Sequence, residues 1–176
     1  MTNREILLGV SGGIASYKTA ALVSQLVQAG HGVSVIMTKA AQEFVGPATF
    51  AALTGRPVAT EIFAAAHPLG VHIDLAERAD LFCIAPATAN FMAKAAHGLA
   101  DDLLSTLYLA FTGKTIIAPA MNCAMWEKPV VQRNLNQLRD DGVEIVDPEE
   151  GWLSCRKQGI GRMAAPETIL AAIQRL

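Results

Sequence analysis

Apolar residues gather in five short runs that are hydrophobic nearly throughout: residues 6–10, 33–37, 81–85, 115–118 and 143–146. Unbroken runs of this length suit strands covered on both faces, whereas a half-exposed strand would alternate with polar residues. The segments between them carry apolar residues at helical spacing. They predict helices over 15–29, 48–53, 73–78, 89–96, 103–110, 130–141 and 166–176, with Gly30 closing the first and Pro166 and Glu167 suiting the first turn of the last. Strands alternating with helices predict a single α/β domain: a doubly wound, mostly parallel sheet with helices on both faces and right-handed crossovers.

Composition narrows the field. At 176 residues and 52% apolar content the chain can bury one sizeable core. A net charge of −2 with scattered Lys and Arg gives no footprint for nucleic acid. No apolar run approaches the ~20 residues of a membrane span, and the N-terminus reads as no secretory signal, so a cytoplasmic location is expected. Cys83, Cys123 and Cys155 are odd in number and widely spaced, which predicts reduced thiols and neither a disulfide framework nor a metal site.

In a sheet of this kind, ligands bind at the carboxyl ends of the strands. Ser11-Gly-Gly-Ile14 opens the first crossover helix, where N–H groups and the helix dipole can hold a phosphate, although a plain connecting turn reads the same way. The third glycine and the downstream acid of a dinucleotide fingerprint are missing, so a mononucleotide fits better. Thr38-Lys-Ala40 follows the second run and Thr88-Ala-Asn90 the third; both would face one crevice if those strands are adjacent. Thr88 and Asn90 equally suit the capping of the next helix.

His72 near a helix start is a candidate acid or base, with a packing role as the equal alternative. His31, His67 and His97 read as turn or surface residues. Asn122, after Pro119-Ala-Met121, can bind a carboxylate, with Met121, Met125 and Trp126 as apolar surface. Cys83 lies in a strand and reads as inert. Cys155 sits in the glycine-rich stretch 151–163 with Arg156, Lys157 and Arg162 near it in sequence, a setting that favours a thiolate.

Together, Ser11-Gly-Gly-Ile-Ala-Ser-Tyr-Lys18, His72 in Val-His-Ile-Asp-Leu, Pro86-Ala-Thr-Ala-Asn90, Pro119-Ala-Met-Asn-Cys-Ala-Met-Trp126 and the Cys155 loop ending Gly-Ile-Gly-Arg-Met163 resemble the homo-oligomeric flavin-containing cysteine decarboxylase family, over nearly the whole chain. The resemblance implies one flavoprotein domain over 1–176, of Rossmann-like or flavodoxin-like build. It implies non-covalent FMN held by Gly12, Gly13, Ile14, Thr38, Lys39, Thr88, Ala89, Asn90, Phe91 and Ala120. It also implies decarboxylation of phosphopantothenoylcysteine to 4'-phosphopantetheine in coenzyme A synthesis. His72 would be the base, Asn122 the carboxylate binder and Cys155 the late proton donor, with Met121, Trp152, Leu153, Ser154 and Met163 around the substrate.

A trimer, or a dodecamer of trimers, with sites at subunit contacts, and a phosphopantothenate-cysteine ligase on another chain are implied partners. Related activities on the same scaffold are oxidative decarboxylation of a peptide's C-terminal cysteine, flavin binding without turnover, and flavin prenyl transfer. Cys155 favours the coenzyme A reaction over the peptide one. Arg156 stands where the family often has Gly, and Phe91 where it often has Thr.

Overall fold

A computed structural model describes residues 3–63 and 70–176. Its centre is a five-stranded, fully parallel sheet of β1 (Glu5–Val10), β2 (Gly32–Met37), β3 (Leu81–Ala87), β4 (Lys114–Pro119) and β5 (Glu144–Ile145), in the order β2-β1-β3-β4-β5. The five predicted strands are these five. Eight helices accompany them among the described residues: α1 (Ser16–Gln28), α2 (Pro47–Thr54), α3 (Val71–Arg78), α4 (Ala89–His97), α5 (Leu103–Ala110), α6 (Cys123–Trp126), α7 (Pro129–Asp140) and α8 (Pro166–Arg175).

The chain's apolar runs become a two-sided core because successive strand residues point to opposite faces. Ile6, Leu8 and Val10 join Leu22, Val23 and Leu26 of α1 and Ile169 and Ile173 of α8 on one face. Leu7, Phe82 and Ile84 join Met92 of α4, Leu104 and Leu107 of α5 and Leu135 of α7 on the other. Gly9 lets α5 approach: a Cβ there would overlap the Leu104 side chain. Cys83, fully buried in β3, has its thiol pushed up to about 12 by that burial, so it is inert at neutral pH, as its place in a strand suggests.

Three features depart from the sequence reading. β2 and β3 are not adjacent; β1 lies between them. The stretch 151–163, read as a glycine-rich loop, falls almost wholly within an antiparallel hairpin of β6 (Glu149–Trp152) and β7 (Gln158–Arg162). A 3-10 turn (Lys39–Glu43) and the four-residue α6 also escaped the pattern, being too short to show a period.

Among the described residues, no helix is long and apolar enough to cross a membrane. His31 is buried rather than at the surface, its Nδ1 accepting from Arg4 N at 3.3 Å, while His97 is exposed as expected. His67 lies outside the described residues.

Candidate functional site

The strand order reverses direction at β1: the chain crosses from β1 to β2 on one side and later to β3 on the other. The loops leaving β1 and β3 must therefore diverge and leave a crevice at the carboxyl edge. A cavity of about 880 Å³ opens there, in the size range of small-molecule and cofactor sites. Every predicted cofactor and substrate residue lines it: Gly12, Gly13, Ile14, Thr38, Lys39, Thr88, Ala89, Asn90, Phe91, Ala120, Met121, Asn122, Trp152, Leu153, Ser154, Cys155 and Met163. Thr38 and Thr88 meet across this crevice although their strands are not neighbours. His72 does not line it.

The inner wall is built from backbone. After β1 the chain turns into α1, and the N–H groups of Gly12, Gly13, Ile14 and Ala15 have no acceptor among the described residues. Four free donors at the positive end of a 13-residue helix suit a phosphate. A Cβ on Gly12 would overlap Ala40. Ser11, 2% exposed, ties this loop to the β3 loop: its Oγ donates to Pro86 O at 2.7 Å and accepts from Thr88 N at 2.9 Å. Thr19 Oγ1 donates to Ala85 O at 2.7 Å, adding a second tie from α1.

Thr88 caps α4, its Oγ1 accepting from Phe91 N at 3.3 Å. Asn90 does not share that duty; it lies one residue into the helix, exposed on the cavity. Phe91 is buried, edge-on to Tyr108. Four residues after Asn90, on the same helix face, Lys94 also reaches the cavity, held by Asp101 at 2.6 Å and Asp102 at 2.8 Å. Burial pushes the Asp102 carboxyl up, but its hydrogen bonds from Lys94 and Ser105 outweigh this and leave it below the usual range. Lys94, Asp102, Tyr17 and Phe44 were missed in the sequence. The i, i+4 spacing from Asn90 and the Asp102-to-Ser105 capping box were the available signals for the first two; Tyr17 and Phe44 carried none.

The outer wall is the hairpin and the segment after β4. Asn122 caps α6, its Oδ1 accepting from Ala124 N at 2.8 Å, which fixes the amide and leaves Nδ2 as a donor. Met121 packs on the core, and so does Trp126. Cys123 is half-buried at the first position of α6. Trp152, 68% exposed, and Ser154 and Cys155 stand at the hairpin tip, above buried Leu153 and Met163. Arg156 takes the left-handed conformation at φ 62°, which explains why glycine would also suit the position.

Arg162, expected beside the thiol, is instead paired with Glu149 at 2.8 Å; Glu149 also accepts from Ala165 N at 2.9 Å. Lys18 Nζ donates to Met163 O at 2.9 Å, and burial, then the nearby Arg162, lowers its pKa. These contacts fasten the hairpin's base to the body. His72 occupies the first turn of α3, half-buried, with Nδ1 buried and without a partner among the described residues.

The donor set fits FMN. Unpaired N–H groups with Lys39 nearby suit its phosphate, and Thr88 and Asn90 suit polar ring edges. Ile14, Ala120 and Met121 are apolar surface against which a ring can lie.

A family model described as Flavoprotein matches residues 1–176. The chain is 49% identical over 176 residues to the "Coenzyme A biosynthesis bifunctional protein CoaBC" of Bacillus subtilis (strain 168), covering 99% of this chain and 43% of that protein. It thus spans less than half the length of the bifunctional relatives it matches. Two solved structures are similar throughout. The FMN-dependent cysteine decarboxylase SpaF has a TM-score of 0.86 and 37% identity over 97% of this chain and 96% of its own. A PPC decarboxylase mutant complexed with pantothenoylaminoethenethiol has a TM-score of 0.88 and 28% identity over 99% and 98%.

Proposed function

Since this chain belongs to the flavoprotein family, we propose that it is an FMN-dependent carboxy-lyase that converts phosphopantothenoylcysteine to 4'-phosphopantetheine in coenzyme A synthesis. The observation that carries this reading is the meeting of Asn122 and Cys155 on one cavity with the donor-rich loop after β1. We take residues 1–176 as one flavoprotein domain, supported by a single sheet with core on both faces.

Bound FMN supplies an electron-pair acceptor that is restored within one turnover, so the reaction needs no other oxidant. Around it, Gly12, Gly13 and Ile14 bind phosphate through their N–H groups, and Thr38, Lys39, Thr88, Ala89, Asn90, Phe91 and Ala120 complete the pocket. Asn122 Nδ2 donates to the substrate carboxylate and orients it for loss as CO2. Met121, Trp152, Leu153, Ser154 and Met163 enclose the substrate and exclude water. Cys155 would return a proton to the enethiol at the carbon that lost CO2, and together with the electron pair given back by the cofactor this yields the saturated thiol of 4'-phosphopantetheine.

His72 serves as base from a neighbouring copy of the chain. Its absence from its own chain's cavity and its unpartnered, buried Nδ1 both support that placement. The assembly is therefore a homo-oligomer, a trimer or a dodecamer of trimers. A phosphopantothenate-cysteine ligase is its functional partner, as the bifunctional relatives suggest. We assign the activity to the cytoplasm, supported by three unpaired thiols, one of them exposed.

The test is mass spectrometry of products after anaerobic incubation of FMN-loaded protein with phosphopantothenoylcysteine. Loss of CO2 alone supports the proposal. A product lighter by two further hydrogens means that the reaction stops at the enethiol. No consumption by FMN-loaded protein, or turnover of a C-terminal cysteine peptide instead, overturns it.

A further inference from the structure

β7 does more than close the hairpin, because two of its glycines lie against the segment that carries Asn122. A Cβ on Gly161, whose φ is +147°, would overlap the carbonyl oxygen of Met121, and Met121 N donates to Gly161 O at 2.9 Å. Two residues earlier, on the same strand face, a Cβ on Gly159 would stand 3.0 Å from Cβ and 3.4 Å from Sγ of Cys123. The covered segment, 121–123, has Asn122 at its middle. Asn122 in turn holds α6 through its side chain, and its carbonyl accepts from Met125 N and Trp126 N at 3.0 Å each.

At Gly161 the contact between β7 and this segment is thus backbone on backbone, without a flexible side chain to absorb a displacement, and at Gly159 the strand lies against the short Cys123 side chain. The other hairpin strand differs. A Cβ on Gly151 of β6 would meet only the guanidinium of Arg162, at 3.1 to 3.2 Å, and that group is the far end of a flexible side chain.

We propose that β7, through Gly161 and Gly159, positions Asn122 and couples it to the hairpin tip that carries Cys155, so that the carboxylate binder and the proton donor move as one body. Gly161 lines the cavity with its backbone and has no side chain to offer, so it acts as a positioning residue, through Asn122. This rests on the reading in which Asn122 binds the carboxylate and Cys155 returns the proton. It adds that the two steps share one mechanical support. The support explains why glycine is required twice in a strand whose sequence otherwise has no reason to avoid side chains.

The experiment compares FMN-loaded Gly161→Ala and Gly151→Ala with wild type. A methyl group at 161 must push Met121 away by roughly 1 Å, a displacement of the kind that costs about 100-fold in rate. Gly161→Ala is expected to lose about 100-fold in kcat/KM for phosphopantothenoylcysteine and also to release a larger share of product as enethiol. Gly151→Ala behaves as wild type. A change in only one of the two readouts, or an equal change in Gly151→Ala, overturns the coupling.

If Gly161→Ala does not fold around FMN, Gly159→Ala carries the test. Adding Cys123→Gly, which removes the opposing Cβ, must then restore both readouts; failure to restore them refutes the proposal. Hydrogen exchange separates this proposal from the functional one. In wild-type holoprotein the Met121 amide, bonded to Gly161, exchanges in step with the Leu153 amide, bonded to Lys157 O at 2.8 Å, whichever substrate the enzyme accepts. Independent exchange of the two amides overturns the coupling even in an active enzyme.

Discussion

The two walls of the cavity are built on opposite plans. The inner wall is fixed by buried hydroxyls: Ser11 joins the loops after β1 and β3, and Thr19 ties α1 to Ala85, with both groups sealed from water. The outer wall puts Trp152, Ser154 and Cys155 in solvent at a hairpin tip, fastened at its base by Glu149, Arg162 and Lys18 and along β7 by the Gly161 carbonyl. A preorganised backbone suits a group that stays bound through many turnovers. An exposed tip suits a substrate that enters and leaves each time. Retention thus suits the inner wall and exchange the outer one.

The sharpest break lies in the chemistry of the outer side. His72→Asn is expected to lower decarboxylation by about 10³-fold while FMN stays bound, the scale of a lost general base. Mixed oligomers of His72→Asn and Asn122→Ala, each inactive alone, should recover part of the activity, because some sites then hold both intact residues. An inactive mixture, assayed after subunit exchange, would rule out a base supplied by a neighbour.

Next in size is Cys155→Ser, which should still consume substrate but accumulate the enethiol, as mass spectrometry of the products reads directly. Normal yields of phosphopantetheine would reduce Cys155 to a bystander.

On the inner wall, Ser11→Ala strands Thr88 N–H, at about 1–3 kcal/mol, while Pro86 O keeps its bond from Ser11 N at 3.2 Å. If that cost falls on the bound state, FMN affinity drops roughly 10- to 100-fold, read by fluorescence titration. The KM for substrate at saturating FMN should hardly move. A large change in KM at unchanged FMN affinity would erase the distinction between the walls.

The smallest effect concerns the hairpin base. The Ala165 N–H, and beyond it Arg162, hold the Glu149 carboxyl below the usual glutamate range against a partial burial that pushes it up. A lowered folded-state pKa gives stability that is present above the ordinary glutamate pKa and lost as pH falls through the lower folded value. Glu149→Gln should therefore lower Tm slightly at neutral pH, with the gap to wild type closing in acid. For a pair this exposed the difference is about 1 kcal/mol or less.

The sheet was legible in the sequence because strands buried on both faces leave continuous apolar runs, and all five strands fall where those runs are. The inner wall was legible for a related reason: its residues follow directly after strands, and Thr88 and Gly13 are types that cap or turn. The hairpin was not, since Glu149–Trp152 and Gln158–Arg162 carry three glycines and charged residues in place of apolar alternation. Hence Arg162 was placed by sequence proximity beside Cys155, when pairing across the hairpin gives it to Glu149. The separation of His72 from its own chain's cavity could not be read either, because a motif records which residues a reaction needs and not which copy of the chain supplies them.

Gly12 and Ala40 press together so closely that the loop after β1 and the 3-10 turn after β2 form a single interlocked socket. Such a socket does not depend on its occupant for shape. Cofactor-stripped protein should keep its native circular dichroism and take up FMN again by simple reconstitution, without refolding. Coloured and colourless preparations would then be two loading states of one folded scaffold, interconvertible at the bench.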